Sequence, residues 1–483
     1  MAFHADRYAR IVIIGGGAIG CSIAWHLAAH GERDVLLVEK AQLTHGSTWH
    51  AAGLVGQLRG KQNLTRLMQN SVAVFDRLEQ ETGQAIDWKK VGSLRLASSP
   101  DRWAEIRRSM TLASSFGFEC HSLSAREAHD LFPFIEERGV VGAAYIPSDG
   151  YVDPYALTMA YAAGARAGGV RIAEGVLVTG IAIDKRRVVG VVTDHGTIGC
   201  EILVNCAGIW AKRVADMAGV AVAAGVVEHQ YLVTERKVAF SAGLTTLRDP
   251  DHNFYLKPDI ASFAIGGWED GTKGCWRGQP PFAFARELFQ PNMDRLALFA
   301  LPAAERLPIL NEIGIQTVIN GPIPVSADGE PIMGLAPELD NFFVACGFTA
   351  GIAASGGAGL AMANWIVHGD PGMDLWSFDI RRFGPVQAQG RWLEERAVEA
   401  YGAYYRIHWP GEEMHSARNV RQSPMHGRLM NAGAVFDFSA YTRAPALTIY
   451  DSGGNDTLDC SGYSVAQTID LHSGAFSSVG GLI

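Results

Sequence analysis

The first apolar run of the chain, IVII at residues 11–14, is continuous and β-branched, the pattern of a strand buried on both faces. A glycine-rich stretch follows, and residues 18–30 then take helical spacing, with Ile19, Ile23 and Leu27 along one face. DVLLVE, residues 34–39, reads as a second buried strand ending in Glu39. ILVNCAG at 202–208 is another buried strand running into small residues. DPYALTMAYAAGARAGG at 153–169 is helical, with Asp153 as N-cap and Pro154 at the first helical position, and VRIAEGVLVTGIAID after it reads as a strand pair. Residues 341–367 carry no charge and are long enough to cross a bilayer. Their middle is Gly, Ala, Ser and Thr, so a buried strand at 342–346, a turn and a packed helix is the better reading. EHQYLVTERK (228–237), NFYLKPD (253–259) and SFAIGGWED (262–270) alternate and carry aromatic β-formers, which predicts antiparallel strands.

The turn after the first strand has the spacing Gly15-x-Gly17-x-x-Gly20. Gly15 permits the tight turn, Gly17 lets a pyrophosphate approach the backbone, and Gly20 lets the helix lie on the sheet. The helix N-terminus offers unpaired N–H groups and a positive dipole end. Glu39 can accept from ribose hydroxyls and repels a 2′-phosphate, so FAD and NAD remain and NADP is disfavoured. The fold expected is α/β: a Rossmann-type domain interleaved with an antiparallel-sheet substrate domain of α+β type.

Composition narrows the class. The chain has 483 residues, which suggests two or three structural units. A net charge of −9 argues against a nucleic-acid partner. The seven cysteines are odd in number and form no C-x-x-C pair, which suits reduced thiols, a cytoplasmic location and no structural zinc. The run IVII is too short for a signal core, so neither a secretory leader nor a membrane span is expected.

GSTWHAAGL at residues 46–54 sets His50 among small residues, eleven positions after Glu39. That loop leaves the edge of the second strand where a dinucleotide lies. A neutral imidazole nitrogen there is competent to attack an electrophilic form of a flavin methyl group and stay bonded to it. A solvated or hydrogen-bonded loop histidine is the plainer reading of the residue by itself.

GSTWHAAGL behind VEK resembles the dimethylglycine and sarcosine dehydrogenase family of flavoproteins. DGYVDPYALTMAYAAGARAGG (149–169), VNCAGIWA (204–211), EHQYLVTE (228–235), NGPIPVSADGEPIMG (320–334) and VACGFTAGI (344–352) extend the resemblance over roughly residues 8–436. It implies FAD, held covalently through His50. It implies cofactor contacts from Gly15, Gly17, Ala18, Ile19, Gly20, Glu39, Lys40, Ser47, Thr48, Ala52, Leu54, Val178, Ala207, Gly208, Gly347, Thr349, Gly351 and Ile352. It places His229 and Tyr255 at the amine, for proton tuning and orientation, with Trp268 as a wall of the pocket. Packing roles for these three aromatic or imidazole side chains stay open at this point. Cys21 and Cys346 read as small buried hydrophobes.

The boundaries expected are FAD-binding segments 1–80, 142–214 and 326–370, substrate segments 81–141 and 215–325, and a connecting module at 371–436. Residues 437–483 resemble the start of the calcium-binding C-terminal region of serralysin-type metalloproteases, a short β-like tail in which Asp451, Asn455, Asp456 and Asp459 are the candidate calcium contacts. A solvated turn is the plainer reading there, no H-E-x-x-H occurs, and no other metal site is expected. The family's folate domain is expected to be missing. The function implied is oxidation of an N-methyl group of a small secondary or tertiary amine by hydride transfer to FAD, with dioxygen or an electron-transfer flavoprotein as acceptor. The alternatives are a related flavin enzyme for another amine or amino acid, and a non-catalytic flavoprotein fusion with a calcium-responsive tail. Oligomeric state is not legible.

Overall fold

The computed structural model describes residues 7–237, 239, 243–409, 412–419 and 422–433. Contacts divide the chain into two compact units, Met1–Ile407 and His408–Ile483.

The first unit is built on a six-stranded sheet. Its order is Ile332–Leu335, Phe342–Cys346, Ile202–Asn205, Ile11–Ile14, Val35–Glu39, Arg171–Glu174. All neighbours are parallel except the Ile332–Leu335 edge. The run IVII is central, with Val12 beside both Leu203 and Leu36. Its two faces meet different layers, which is why it does not alternate with polar residues. Ile11, Ile13, Val35 and Leu37 pack with residues of the helices Ala18–Ala29, Gln62–Thr82, Pro154–Ala167 and Gly351–His368. Val12, Ile14, Leu36 and Val38 pack with Val178, Val188, Val191 and Ile198 of the antiparallel meander Val178–Asp184, Arg187–Thr193 and Gly196–Gly199.

The uncharged run at 341–367 is accounted for by close packing. A Cβ on Gly357 would overlap the Leu67 carbonyl, and one on Gly359 would overlap Ser22, so glycines let the helix Gly351–His368 touch its two neighbours. No described helix is long and apolar enough to cross a membrane. Ala18–Ala29 differs from its predicted one-sided helix: it is buried nearly all round, Trp25 and His26 included.

The second sheet has eight strands, in the order Ile315–Ser326, Ala224–Thr234, Ser262–Gly267, Phe254–Asp259, Thr246–Asp249, Ser93–Ala97, Gly142–Ile146, His121–Leu123. It is antiparallel except where Thr246–Asp249 runs parallel to Ser93–Ala97. Leu232, Phe254, Leu256, Phe263 and Ile265 pack against Leu296, Phe299 and Ala303 of the helix Met293–Arg306. Strand parity therefore sends His229, Tyr231 and Tyr255 to the opposite face.

Three expected assignments are corrected. Gly142–Ile146 pairs with Ser93–Ala97, so the chain returns to the first sheet after residue 146, and the boundary at 142 is too early. Arg171–Glu174 and Val178–Asp184 do not pair with each other: one joins Val35–Glu39 and the other opens the meander. The helix Gly390–Gly402, read as part of a connector, packs against Ala224–Thr234 and Ile315–Ser326.

In the second unit the described residues include a short helix, His426–Asn431, and an ion pair between Arg418 and Glu413 at 3.0 Å. The tail 437–483, with Asp451, Asn455, Asp456 and Asp459, lies outside the described residues.

Candidate active site

One cleft in the first unit gathers every cofactor and substrate residue expected from the sequence except Gly20. Gly20 lies behind the cleft: a Cβ there would overlap the Gly15 carbonyl, so it serves close helix–strand packing.

The dinucleotide end is a backbone cradle. Gly15 has φ +114°, and a Cβ on it would overlap the Cys206 carbonyl. Gly17 caps the helix Ala18–Ala29 without any side-chain cap, and the Ala18 N–H donates to Thr48 Oγ1 at 3.3 Å. Glu39 accepts from the Gly16 N–H at 2.8 Å and the Ala41 N–H at 2.9 Å. Each carboxylate oxygen keeps acceptor capacity for a ribose hydroxyl. Burial raises the Glu39 carboxyl above its ordinary range, and the two N–H bonds oppose the shift. Lys40 donates to the Phe284 carbonyl at 2.5 Å and lies 4.1 Å over the Trp210 ring, so it ties down a neighbouring loop. Ser47 Oγ donates to the Pro322 carbonyl at 2.7 Å.

His50 closes the Thr48–His50 turn and is buried. Its ring lies flat against Gly321, where a Cβ would come within 2.6 Å of Cε1. Burial pushes its pKa down to about 4, opposed by hydrogen bonds to the backbone of His50 and Pro322. Nε2 is buried without a partner. A neutral imidazole with one orphaned nitrogen in a cofactor cleft is chemically suited to bond an electrophile.

The eight-stranded sheet forms the opposite wall. Tyr231, Gly266, Tyr255, Arg248 and Arg95 form one cross-strand row, and His229 lies two residues before Tyr231. Gly266 is small because the Tyr255 side chain lies over it. His229 Nε2 and Tyr255 Oη are 2.8 Å apart, and His229 Nδ1 and Tyr401 Oη are 2.8 Å apart. Burial pushes the His229 pKa down to about 3, with the fields of His50 and Arg295 adding to it, so the ring is neutral. Trp268 stacks on His229 at 4.8 Å and on Tyr404 at 4.1 Å, and its Nε1 is buried without a partner.

The sequence reading missed Arg59, Arg248, Tyr404 and Tyr405, all of which line the cleft. It also missed Tyr401, which stands behind His229. The cluster YGAYY at 401–405 was the available signal, a run of aromatics at the end of a helix in the supposed connector. Among the described residues no carboxylate forms an ion pair with Arg59 or Arg248. Two guanidinium groups in an aromatic cleft can hold a carboxylate. Cys21 and Cys346 are buried and unpaired, and burial raises both thiols, Cys346 to about 12.

Comparison with known proteins agrees with this geometry. The FAD dependent oxidoreductase family matches residues 10–365, and the FAD dependent oxidoreductase central domain matches 368–423. The Peptidase M10 serralysin C terminal family matches 431–483. The mouse mitochondrial sarcosine dehydrogenase is 38% identical over 436 residues, covering 89% of this chain and 47% of that protein. The rat mitochondrial dimethylglycine dehydrogenase is 37% identical over 449 residues, covering 91% and 52%. The chain thus spans about half the length of the curated relatives it matches. The crystal structure of L-proline dehydrogenase from P. horikoshii superposes with a TM-score of 0.71 at 25% identity, covering 78% of this chain and 98% of that one. A cradle for a dinucleotide, a wall of imidazole and phenol groups, and a family match across three-quarters of the sequence converge: the chain belongs to the FAD-dependent oxidoreductase family.

Proposed function

We propose that this flavoprotein oxidises the N-methyl group of a small amino acid, with sarcosine and dimethylglycine as the leading substrates. The observation that carries the reading is the Tyr255–His229 pair facing the same cleft as Arg59 and Arg248, two guanidinium groups that form no ion pair among the described residues. FAD, when bound, supplies the hydride acceptor. Tyr255 and His229 take the proton from the amine nitrogen, which frees its lone pair. Arg59 and Arg248 hold the carboxylate and so fix which carbon points at the ring. Trp268 and Tyr404 cover the amine and exclude water. Water then hydrolyses the iminium product to formaldehyde and the demethylated amine.

We further propose that His50 carries the FAD covalently through Nε2. The orphaned, buried nitrogen on a neutral ring supports it. For location we propose the cytoplasm, supported by the free cysteines among the described residues.

Anaerobic mixing with sarcosine or dimethylglycine should bleach the flavin, with formaldehyde formed in proportion. A panel of N-methyl amino acids that leaves the flavin oxidised overturns the reading. Acid precipitation should leave yellow colour on the wild-type protein and none on His50→Ala. Reoxidation by dioxygen against an electron-transfer flavoprotein then identifies the acceptor.

A further inference from the structure

His229 has a hydrogen-bond partner on both nitrogens, and the second partner leads away from the cleft. Tyr401 Oη is 2.8 Å from His229 Nδ1, and its own hydroxyl donates to Glu269 Oε2 at 2.9 Å, with the Gly267 carbonyl a more distant acceptor at 3.3 Å. A phenol has one proton. Since Tyr401 gives that proton to a carboxylate, it must accept from His229, so the neutral ring carries its proton on Nδ1. Nε2 is then an acceptor, and the Tyr255 hydroxyl donates to it. The lone pairs of Tyr255 Oη are left for a ligand. The four groups form one chain with a single polarity, from the cleft to Glu269.

We propose that Tyr401 and Glu269 are the outlet of a proton wire that starts at Tyr255 and passes through His229, so that a substrate ammonium proton ends on the Glu269 carboxylate. The inference rests on the reading of the substrate as an amine. The transfer balances. The ammonium N–H bond breaks and its proton joins Tyr255 Oη. The Tyr255 proton moves to His229 Nε2, the Nδ1 proton moves to Tyr401 Oη, and the Tyr401 proton moves to Glu269 Oε2. Tyr255, His229 and Tyr401 end neutral, with the imidazole in its other tautomer. No redox step is involved.

The surroundings favour this endpoint. An ammonium and a carboxylate become an amine and a carboxylic acid, so no net charge is created in a low-dielectric interior. Glu269 is fully buried, and its other oxygen accepts from Arg295 Nε at 3.0 Å and Nη2 at 2.6 Å. Arg295 Nη1 also donates to Glu228 Oε2 at 2.7 Å. When Glu269 takes the proton, Glu228 still balances the arginine, and no buried cation is stranded. Burial raises the Glu269 carboxyl despite Arg295, which makes it a better proton acceptor. The other ionisable groups whose fields reach the wire are His50, Tyr231, Tyr404 and Tyr405. Tyr401 and Glu269 lie behind the imidazole and act through it, so they are positioning residues.

Two measurements on the flavin-loaded full chain test the wire. The first is the rate of flavin reduction by sarcosine across pH 6–10. Tyr401→Phe and Glu269→Gln should each slow it about 10²-fold near neutrality. Both variants should recover by about tenfold per pH unit towards the amine's own pKa, while the wild type stays flat. A purely structural role would lower flavin content or stability and leave the profile flat. Variants that bind flavin and keep the wild-type profile overturn the proposal. The second is the ¹⁵N resonance of His229 without substrate. It should report a neutral ring protonated on Nδ1 at pH 7, and a proton on Nε2 overturns the wiring. A wild type that no N-methyl amine reduces sinks the substrate reading, and the tautomer decides the wire separately.

Discussion

His50 is buried and His229 half-buried; both are neutral imidazoles in one cleft, and their nitrogens separate their chemistry. His229 is hydrogen-bonded on both sides, so it can only pass protons along a fixed line. His50 has an orphaned Nε2 and a ring held flat by Gly321, so it is free to form a bond and unable to turn away. The difference predicts two outcomes. Tyr255→Phe removes the hydroxyl that pairs with His229 Nε2 and should slow flavin reduction about 10²-fold, with bound flavin unchanged. Gly321→Ala leaves His50 in place but sets a methyl 2.6 Å from Cε1 and 2.8 Å from both nitrogens. The ring must shift, so acid precipitation should release most of the flavin even though the histidine is present. Arg248 makes a third case. Its guanidinium lies against Gly56; among the described residues no carboxylate forms an ion pair with it, and the field of buried Asp149 reaches it without direct contact. Arg248→Met should raise KM for sarcosine about 10- to 100-fold while kcat changes little, the loss expected for a charge-assisted hydrogen bond made equally in ground and transition states. An unchanged KM removes Arg248 from carboxylate binding.

The strands decide which of these residues meet. Alternation in EHQYLVTERK and NFYLKPD already placed His229 and Tyr255 on strands, and the resemblance to flavoproteins pointed both at the amine. The register that stacks Tyr231, Gly266 and Tyr255 in one row was not readable, because pairing partners are set by how the whole sheet assembles. Gly266 is the element-level test. A Cβ there would overlap the Tyr255 hydroxyl, so Gly266→Ala should reproduce the kinetics of Tyr255→Phe in a protein that still binds flavin. A normal reduction rate would show that the hydroxyl does not need its present position. The helix Gly390–Gly402 teaches the converse. Its sequence is mixed and its expected role was a connector, yet it delivers Tyr401 to His229 across 172 residues of chain. No local pattern encodes that meeting; packing against Ala224–Thr234 creates it. Arg59 and Arg248 escaped for a similar reason: an arginine in a loop or on a strand reads as a solvated face until the fold shows the cleft beneath it.

Across the first unit, the glycine fingerprint, the buried central strand and the small-residue helix were legible because each obeys a local steric rule. The desolvation of three imidazoles was not, and it makes stability depend on pH. His26 lies in the seam between the helices Ala18–Ala29 and Gly351–His368, with Nδ1 2.9 Å from the Ser22 carbonyl and Nε2 without a partner. Burial holds it at about 4, close to His50 at about 4 and His229 at about 3, against an ordinary 6.5. A lowered folded pKa means the unfolded chain binds protons first as pH falls. The stability these groups allow is complete above about pH 6.5 and is lost down to about pH 4, by about 1.4 kcal/mol per pH unit for each ring. Glu39, Asp149 and Glu269 are raised by burial and act in the opposite sense, so the net slope of the wild type mixes both. A difference between variants separates them. His26→Asn keeps a donor for the Ser22 carbonyl, removes one titrating ring and touches nothing in the cleft. Urea unfolding between pH 6 and 4 should therefore show a slope flatter than the wild type's by about 1.4 kcal/mol per pH unit, whatever the substitution does to stability at pH 7. Parallel curves would mean that His26 is protonated within the folded protein, and that the seam between the two helices admits water.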